Sequence, residues 1–236
     1  MFYTYFLLYF IYSIIGWFLE VGLAFYEHKK FVNRGFLIGP YCPIYGVGCL
    51  LLTILLSKYI NEPGVIFAFS IFICATLEYL TSYLMEKIFK LRWWDYSNMK
   101  FNINGRICLE TLIPFGIIGV LVVKYISPFL INTVNSINFN VLVIINIIIL
   151  SILITDILIS FNVVFNLKNV TRNLNKDSTE EIKKAIYKFI HNNIFMYNRI
   201  VKAFPNMKKI INEQKKRNKD IISKIKKKKT SSSKKD

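Results

Sequence analysis

Nine polar side chains stand out against an apolar background: Glu20, Arg34, Glu78, Glu86, Asp95, Asn104, Arg106, Glu110 and Asp156. Five of them, Glu20, Glu78, Glu86, Glu110 and Asp156, are carboxylates that fall within or beside long hydrophobic runs. A charge at the centre of a bilayer costs about 3 kcal/mol or more, so acids in such places are functional candidates by default. Their spacing is helical. Glu78, Ser82 and Glu86 repeat every four residues and make one polar stripe. Ser13, Gly16 and Glu20 make another, while Arg106/Glu110 and Asp156/Ser160 are four-residue pairs. Lipid offers no hydrogen bonds, so these stripes must turn toward a protein interior. Arg34, Arg92 and Arg106 supply counter-charges, and arginine stays charged and grips carboxylate or phosphate with two N–H groups. Two kinds of chemistry fit the pattern. Carboxylate–arginine pairs hold helices in register, or the same residues line a polar site for a cation, a proton or a phosphate headgroup. Asp95, Asn102, Asn104 and Arg106 sit beside Trp93, Trp94 and Tyr96, a set suited to an interfacial anchor or to closure over the acids.

The elements that would position these residues follow from composition. The chain has 236 residues, 54% of them hydrophobic, with 31 Lys+Arg against 14 Asp+Glu and a net charge of +17. Residues 1–167 are nearly neutral at +2, and residues 168–236 carry +15. A very apolar block followed by a basic tail excludes a soluble globular enzyme, a collagen-like chain and a fully disordered protein. The expected fold class is all-α: a polytopic membrane protein with five transmembrane helices near residues 2–26, 41–60, 65–89, 107–126 and 141–167. The first segment lacks a basic leader and a small-residue cleavage site, so it reads as a span rather than a signal peptide. Asn61-Glu62-Pro63-Gly64 is a tight turn. Residues 33–48 hold four glycines and two prolines, which should break or delay the second helix. Irregular backbone at membrane depth survives where it lines a cavity or is buried in protein; a merely kinked start of the helix is the alternative.

Five spans place the basic loops after the first and third helices and the tail on one side, which the positive-inside rule makes the cytoplasm. The expected localisation is a bacterial cell membrane, with the N-terminus outside and the C-terminus inside. The four cysteines contain no C-x-x-C and the two histidines are isolated, so neither a metal nor another cofactor is expected. In the tail, Ser178-Thr179-Glu180-Glu181 opens an amphipathic pattern that Pro205 interrupts, and the lysine- and serine-rich end reads as disordered. Tethered to a bilayer, this tail should meet anionic lipid rather than nucleic acid.

Several motifs resemble the type IV ABC-transporter family, also called CmpB-like. They are Gly16-Trp17-x-x-Glu20, Asn33-Arg34-Gly-Phe-x-x-Gly-Pro-x-x-Pro-Ile-Tyr-Gly, Glu78-Tyr79 with Glu86, Trp94-Asp95-Tyr96 and Asn104-Gly105-Arg106-x-Cys108-x-Glu110. They cover roughly residues 1–130. The resemblance implies a permease-type component. The chain has no G-x-x-x-x-G-K-[ST] phosphate loop, so an ATPase would be a separate subunit. The leading expectation is a permease-like protein with a carboxylate-rich cavity toward the cytoplasm. The alternative is a membrane enzyme or binding protein acting on a lipid headgroup, with Asp95, Glu110 or Glu86 as base and Arg34 and Arg106 on the phosphate. A scaffold that docks partners through the tail is a third reading. Five helices make a thin wall for a pore, which a homodimer would thicken.

Overall fold

The computed structural model describes residues 1–173 except Lys30, Val32, Arg34, Lys90 and Leu91, without the side chains of Glu27, His28 and residues 163–173. The expected tail helices and the site candidate Arg34 lie outside the described residues. Contacts divide the chain into Met1–Phe161 and Asn162–Asp236. Of the second unit, only the helical stretch to Asn173 is described.

The described residues are helical and contain no strand. Helix α1 spans Phe2–His28, α2 Pro43–Leu56 and α3 Pro63–Phe89. Then come α4 Leu109–Leu121, α5 Ser127–Asn135 and α6 Phe139–Asn173. Four helical runs are long and apolar enough to cross a membrane: Phe2–Tyr26, Pro63–Phe89, Leu109–Asn135 and Phe139–Asn162. The segment expected as a span at 41–60 is a shorter apolar helix, Pro43–Tyr59. Its first residue explains its sharp start. Cys42 is extended, and Pro43 occupies a position where a missing N–H costs nothing.

The span expected at 107–126 continues to Asn135. Ser127-Pro128 looks like a stop because a proline ring clashes with the carbonyl four residues back. Here the helix widens into a π-turn over Val122–Ile126, which makes room for the ring and lets α5 follow α4.

Small residues set the tightest contacts. A Cβ on Gly16 would lie 2.3 Å from the Tyr45 side chain, and one on Gly46 2.1 Å from Ser13 Oγ, so α1 and α2 pack nearly backbone to backbone. Gly116 against Phe67 and Gly119 against Ser70 do the same for α4 and α3. A buried hydroxyl hub joins three helices: Tyr12 and Thr53 each lie 2.7 Å from Ser127 Oγ. At one end of the bundle Tyr3 packs edge-on against Phe139. At the other end, Phe36, Phe89, Trp93 and Phe161 pack together. That cluster brings the 29–42 and 90–108 loops to the same end. The apolar core runs between these ends, through Leu8, Tyr12, Leu37, Val122, Leu142 and Leu153.

The glycine contacts make a direct test. Gly46→Ala should lower the thermal unfolding midpoint of the detergent-solubilised protein, by the equivalent of about 1–3 kcal/mol for an overpacked site. Gly22→Ala, where an added Cβ meets nothing within 4 Å, should leave the midpoint unchanged or slightly raised.

Candidate functional site

The site is built on a segment that returns into the bundle without being a helix. Lys29 ends α1 in a left-handed conformation, φ 52°, with its N–H on the Phe25 carbonyl. By Cys42 the chain has come back to the middle of α1, where the Cys42 N–H donates to the Ser13 carbonyl at 2.8 Å. Ser13 lies about 17 Å along α1, so α2 begins at about half the depth of the helix it packs on. This is why α2 is short.

Asn33 stitches the first part of the segment. Its Oδ1 accepts from Trp17 Nε1 at 2.9 Å and from the Gly35 N–H at 3.0 Å. Its Nδ2 donates to the Ile38 carbonyl at 3.3 Å. Asp156 of α6 holds the second part. Its Oδ1 accepts from the Ile38 N–H at 2.9 Å and from Ser160 Oγ at 2.8 Å. Its Oδ2 accepts from the Gly39 N–H at 2.8 Å and from the Tyr41 hydroxyl at 2.5 Å. Four donors therefore satisfy this buried carboxylate. The i, i+4 pair Asp156/Ser160 thus closes on itself and on the segment.

Glu86 meets a different environment. Its Oε2 is 2.7 Å from Arg106 Nη2 and 3.4 Å from Arg92 Nε. Arg106 is 9% exposed; it also donates to Ser82 Oγ at 3.1 Å, and its guanidinium lies 5.7 and 5.5 Å from the Tyr79 and Tyr83 ring centres. The third-helix stripe, read from its spacing, is thus covered by an arginine from the next loop. Arg106 pairs with Glu86 and not with Glu110, four residues on. Glu110 is exposed at the first turn of α4 and makes no hydrogen bond or ion pair among the described residues.

The loop that carries Arg106 is tied to itself. Asp95 Oδ1 accepts from Ser97 Oγ at 2.5 Å, from the Ser97 N–H at 3.1 Å and from Arg92 Nη1 at 3.2 Å. The Ser97 hydroxyl, then its N–H, and Arg92 hold the Asp95 carboxyl below the usual carboxylate range. Asp95 therefore stays ionised at neutral pH, and its part in the loop's stability fades only as the pH falls through that lowered value. Asn104, at φ 53°, donates to the Tyr79 hydroxyl at 3.0 Å. Gly105, at φ 66°, packs where a Cβ would strike Ser97, Asp95 and Arg92.

Glu20 and Glu78 form the remaining group. Glu20 Oε1 accepts from the Tyr45 hydroxyl at 2.5 Å, and Glu78 Oε1 from the Tyr96 hydroxyl at 3.1 Å. Glu20 lies within electrostatic reach of both Glu78 and Tyr96. Burial, and then the Glu78 carboxylate beside it, push the Tyr96 phenol far above its ordinary value, so Tyr96 remains a donor at any physiological pH. Neither acid is ion-paired to a basic side chain among the described residues.

The sequence does not single out Tyr41 and Tyr83; Tyr45, Tyr79 and Tyr96 stand within the family-like motifs, and Tyr96 in the loop set suited to closure over the acids, but none is assigned its contact there. Tyrosine is common in membrane segments as an interfacial anchor, so residue type alone carried no signal. A family model described as Putative ABC-transporter type IV matches residues 7–161, which extends past residue 130 into α6 and spans every group above. No curated protein and no solved structure matches the chain.

Asp156 offers the sharpest variant. Asp156→Asn turns an amide N–H toward donors and should destabilise the protein by about 2–3 kcal/mol, since charged hydrogen bonds of this kind are worth that much. It should also speed maleimide labelling of Cys42, a buried thiol. Ser160→Ala, which removes one donor of four, should do both to a smaller extent.

Proposed function

Because the chain belongs to the type IV ABC-transporter family, matched over residues 7–161, we propose that it is a permease-like component of a bacterial transporter whose polar centre is the Glu20–Tyr45 and Glu78–Tyr96 pair. The observation that carries this reading is the contrast among its acids. Asp156 is satisfied by four donors and Glu86 by two arginines, so both position backbone. Among the described residues, Glu20 and Glu78 carry a tyrosine hydroxyl each, from elements that begin at mid-depth or close over the bundle end. Of the described acids that are buried or half-buried, they are the ones left over for a ligand.

The re-entrant segment and α2 together make the second of five crossings, between α1 and α3. The α4–α5 run and α6 make the fourth and fifth. The 29–42 and 90–108 loops then share the cytoplasmic side with the tail, and the N-terminus is outside. The meeting of Phe36 and Trp93, ring centres 5.4 Å apart, supports placing both loops together. The polar centre is reached from that side, past the Tyr96 loop. The basic tail lies on anionic lipid, and a separate subunit hydrolyses ATP. Headgroup chemistry has weaker support, because the Arg106 guanidinium that would hold a phosphate is buried and already engaged by Glu86 and Ser82.

Purification of the tagged chain from its native membranes in mild detergent, followed by mass spectrometry, tests this reading. An ATPase subunit in near-equal amount is the expected result. Recovery of the intact chain without any ATPase would overturn it.

A further inference from the structure

Among the described residues, Glu78 is the buried acid with an unsatisfied carboxylate oxygen. It is 8% exposed, its Oε1 accepts from Tyr96, and its Oε2 is buried with no hydrogen-bond partner. An orphaned oxygen of this kind is costly to bury, and more so if the carboxyl is ionised. The groups that face it come from every neighbouring element. Glu20 approaches from α1, and its Oε1 is held by the Tyr45 hydroxyl of α2. Tyr96 approaches from the loop, with Cys108 beside it, and Cys74 sits one turn away on α3 itself. None of these is a cation. Arg106, from the loop before α4, is committed to Ser82 and Glu86, one and two turns further along α3.

Two acids in mutual reach, each oriented by a phenol that only donates, leave a place for one positive charge. A cation there would offset the cost of burying charge at Glu78. The donors are hard oxygens. Two carboxylates carry at most two negative charges, and among the described residues no third His, Cys, Asp or Glu joins them in a metal-holding group.

We propose that Glu20 and Glu78 hold a single monovalent cation, a proton or an alkali-metal ion, at Glu78 Oε2, with the Tyr45 and Tyr96 hydroxyls fixing the two carboxylates around it. This names the ligand class of the polar centre. It rests on the geometry of that centre and not on the presence of an ATPase, so it stands or falls separately from the purification result.

The test uses the full chain in lipid nanodiscs at pH 8, with choline chloride exchanged for NaCl, KCl or LiCl at constant ionic strength. Thermal unfolding and the infrared stretch of protonated carboxyl groups are read on the same samples. A saturable rise in unfolding midpoint with one alkali cation, absent in Glu78→Gln and reduced in Glu20→Gln, is the outcome for a metal ion. No such rise, but a protonated-carboxyl band in the wild type that Glu78→Gln removes, is the outcome for a proton. Glu62→Gln, at the exposed turn before α3, should match the wild type in either case. The proposal is overturned if the wild type shows neither the saturable rise nor the band, or if Glu78→Gln retains whichever is seen. Should Glu78→Gln fail to fold, the wild-type titrations and Glu20→Gln decide alone.

Discussion

An amide N–H in hydrocarbon needs a partner, and residues 35–42 run through the bundle with no helix to provide one. Asp156 meets that need by accepting from two backbone N–H groups, a tyrosine hydroxyl and a serine hydroxyl. Much else follows from this contact. Because the segment is held there, α2 can begin beside Ser13 rather than at the bundle end. Because α2 begins there, Tyr45 reaches Glu20, and Gly16 and Gly46 can close the α1–α2 crossing.

The acids show how environment assigns roles to one chemical group. Asp156 is neutralised by distributed dipoles and Glu86 by two guanidinium groups. Removing a partner of the buried Asp156 costs several kcal/mol, while Glu86, half-exposed, is held by its pairing with the buried Arg106, so both arrangements commit their acids to structure. Glu20 and Glu78 receive a single neutral donor each. Among the described residues nothing further offsets the burial of Glu78 and the half-burial of Glu20, and that imbalance makes them candidates for binding.

Much of this was legible in the residues. The long apolar runs marked five spans, and four of them correspond to helices long and apolar enough to cross a membrane. The Glu78–Ser82–Glu86 stripe marked a protein-facing side, and the glycines and prolines of residues 33–48 marked a delayed second helix. The rest depended on non-local contacts. Pro128 resembles a helix stop, yet a π-turn absorbs it, and local pattern does not reveal such a turn. Arg106 and Glu110 have helical pairing distance, but Arg106 precedes the helix and turns to Glu86 on α3 instead. Asp156 is marked as an unusual acid by its depth and Ser160 by its spacing, while its other three partners lie more than 110 positions away along the chain. The tyrosines on Asp156, Glu20 and Glu78 share their type with ordinary lipid-facing aromatics, so only their placement distinguishes them.

The central claim is that irregular backbone sits at membrane depth because a carboxylate satisfies it. Residue-resolved hydrogen exchange of the chain in nanodiscs tests that claim most directly. The amides of Ile38 and Gly39 should exchange as slowly as those inside α1. Exchange of both as fast as at the exposed turn around Asn61 and Glu62 would contradict it.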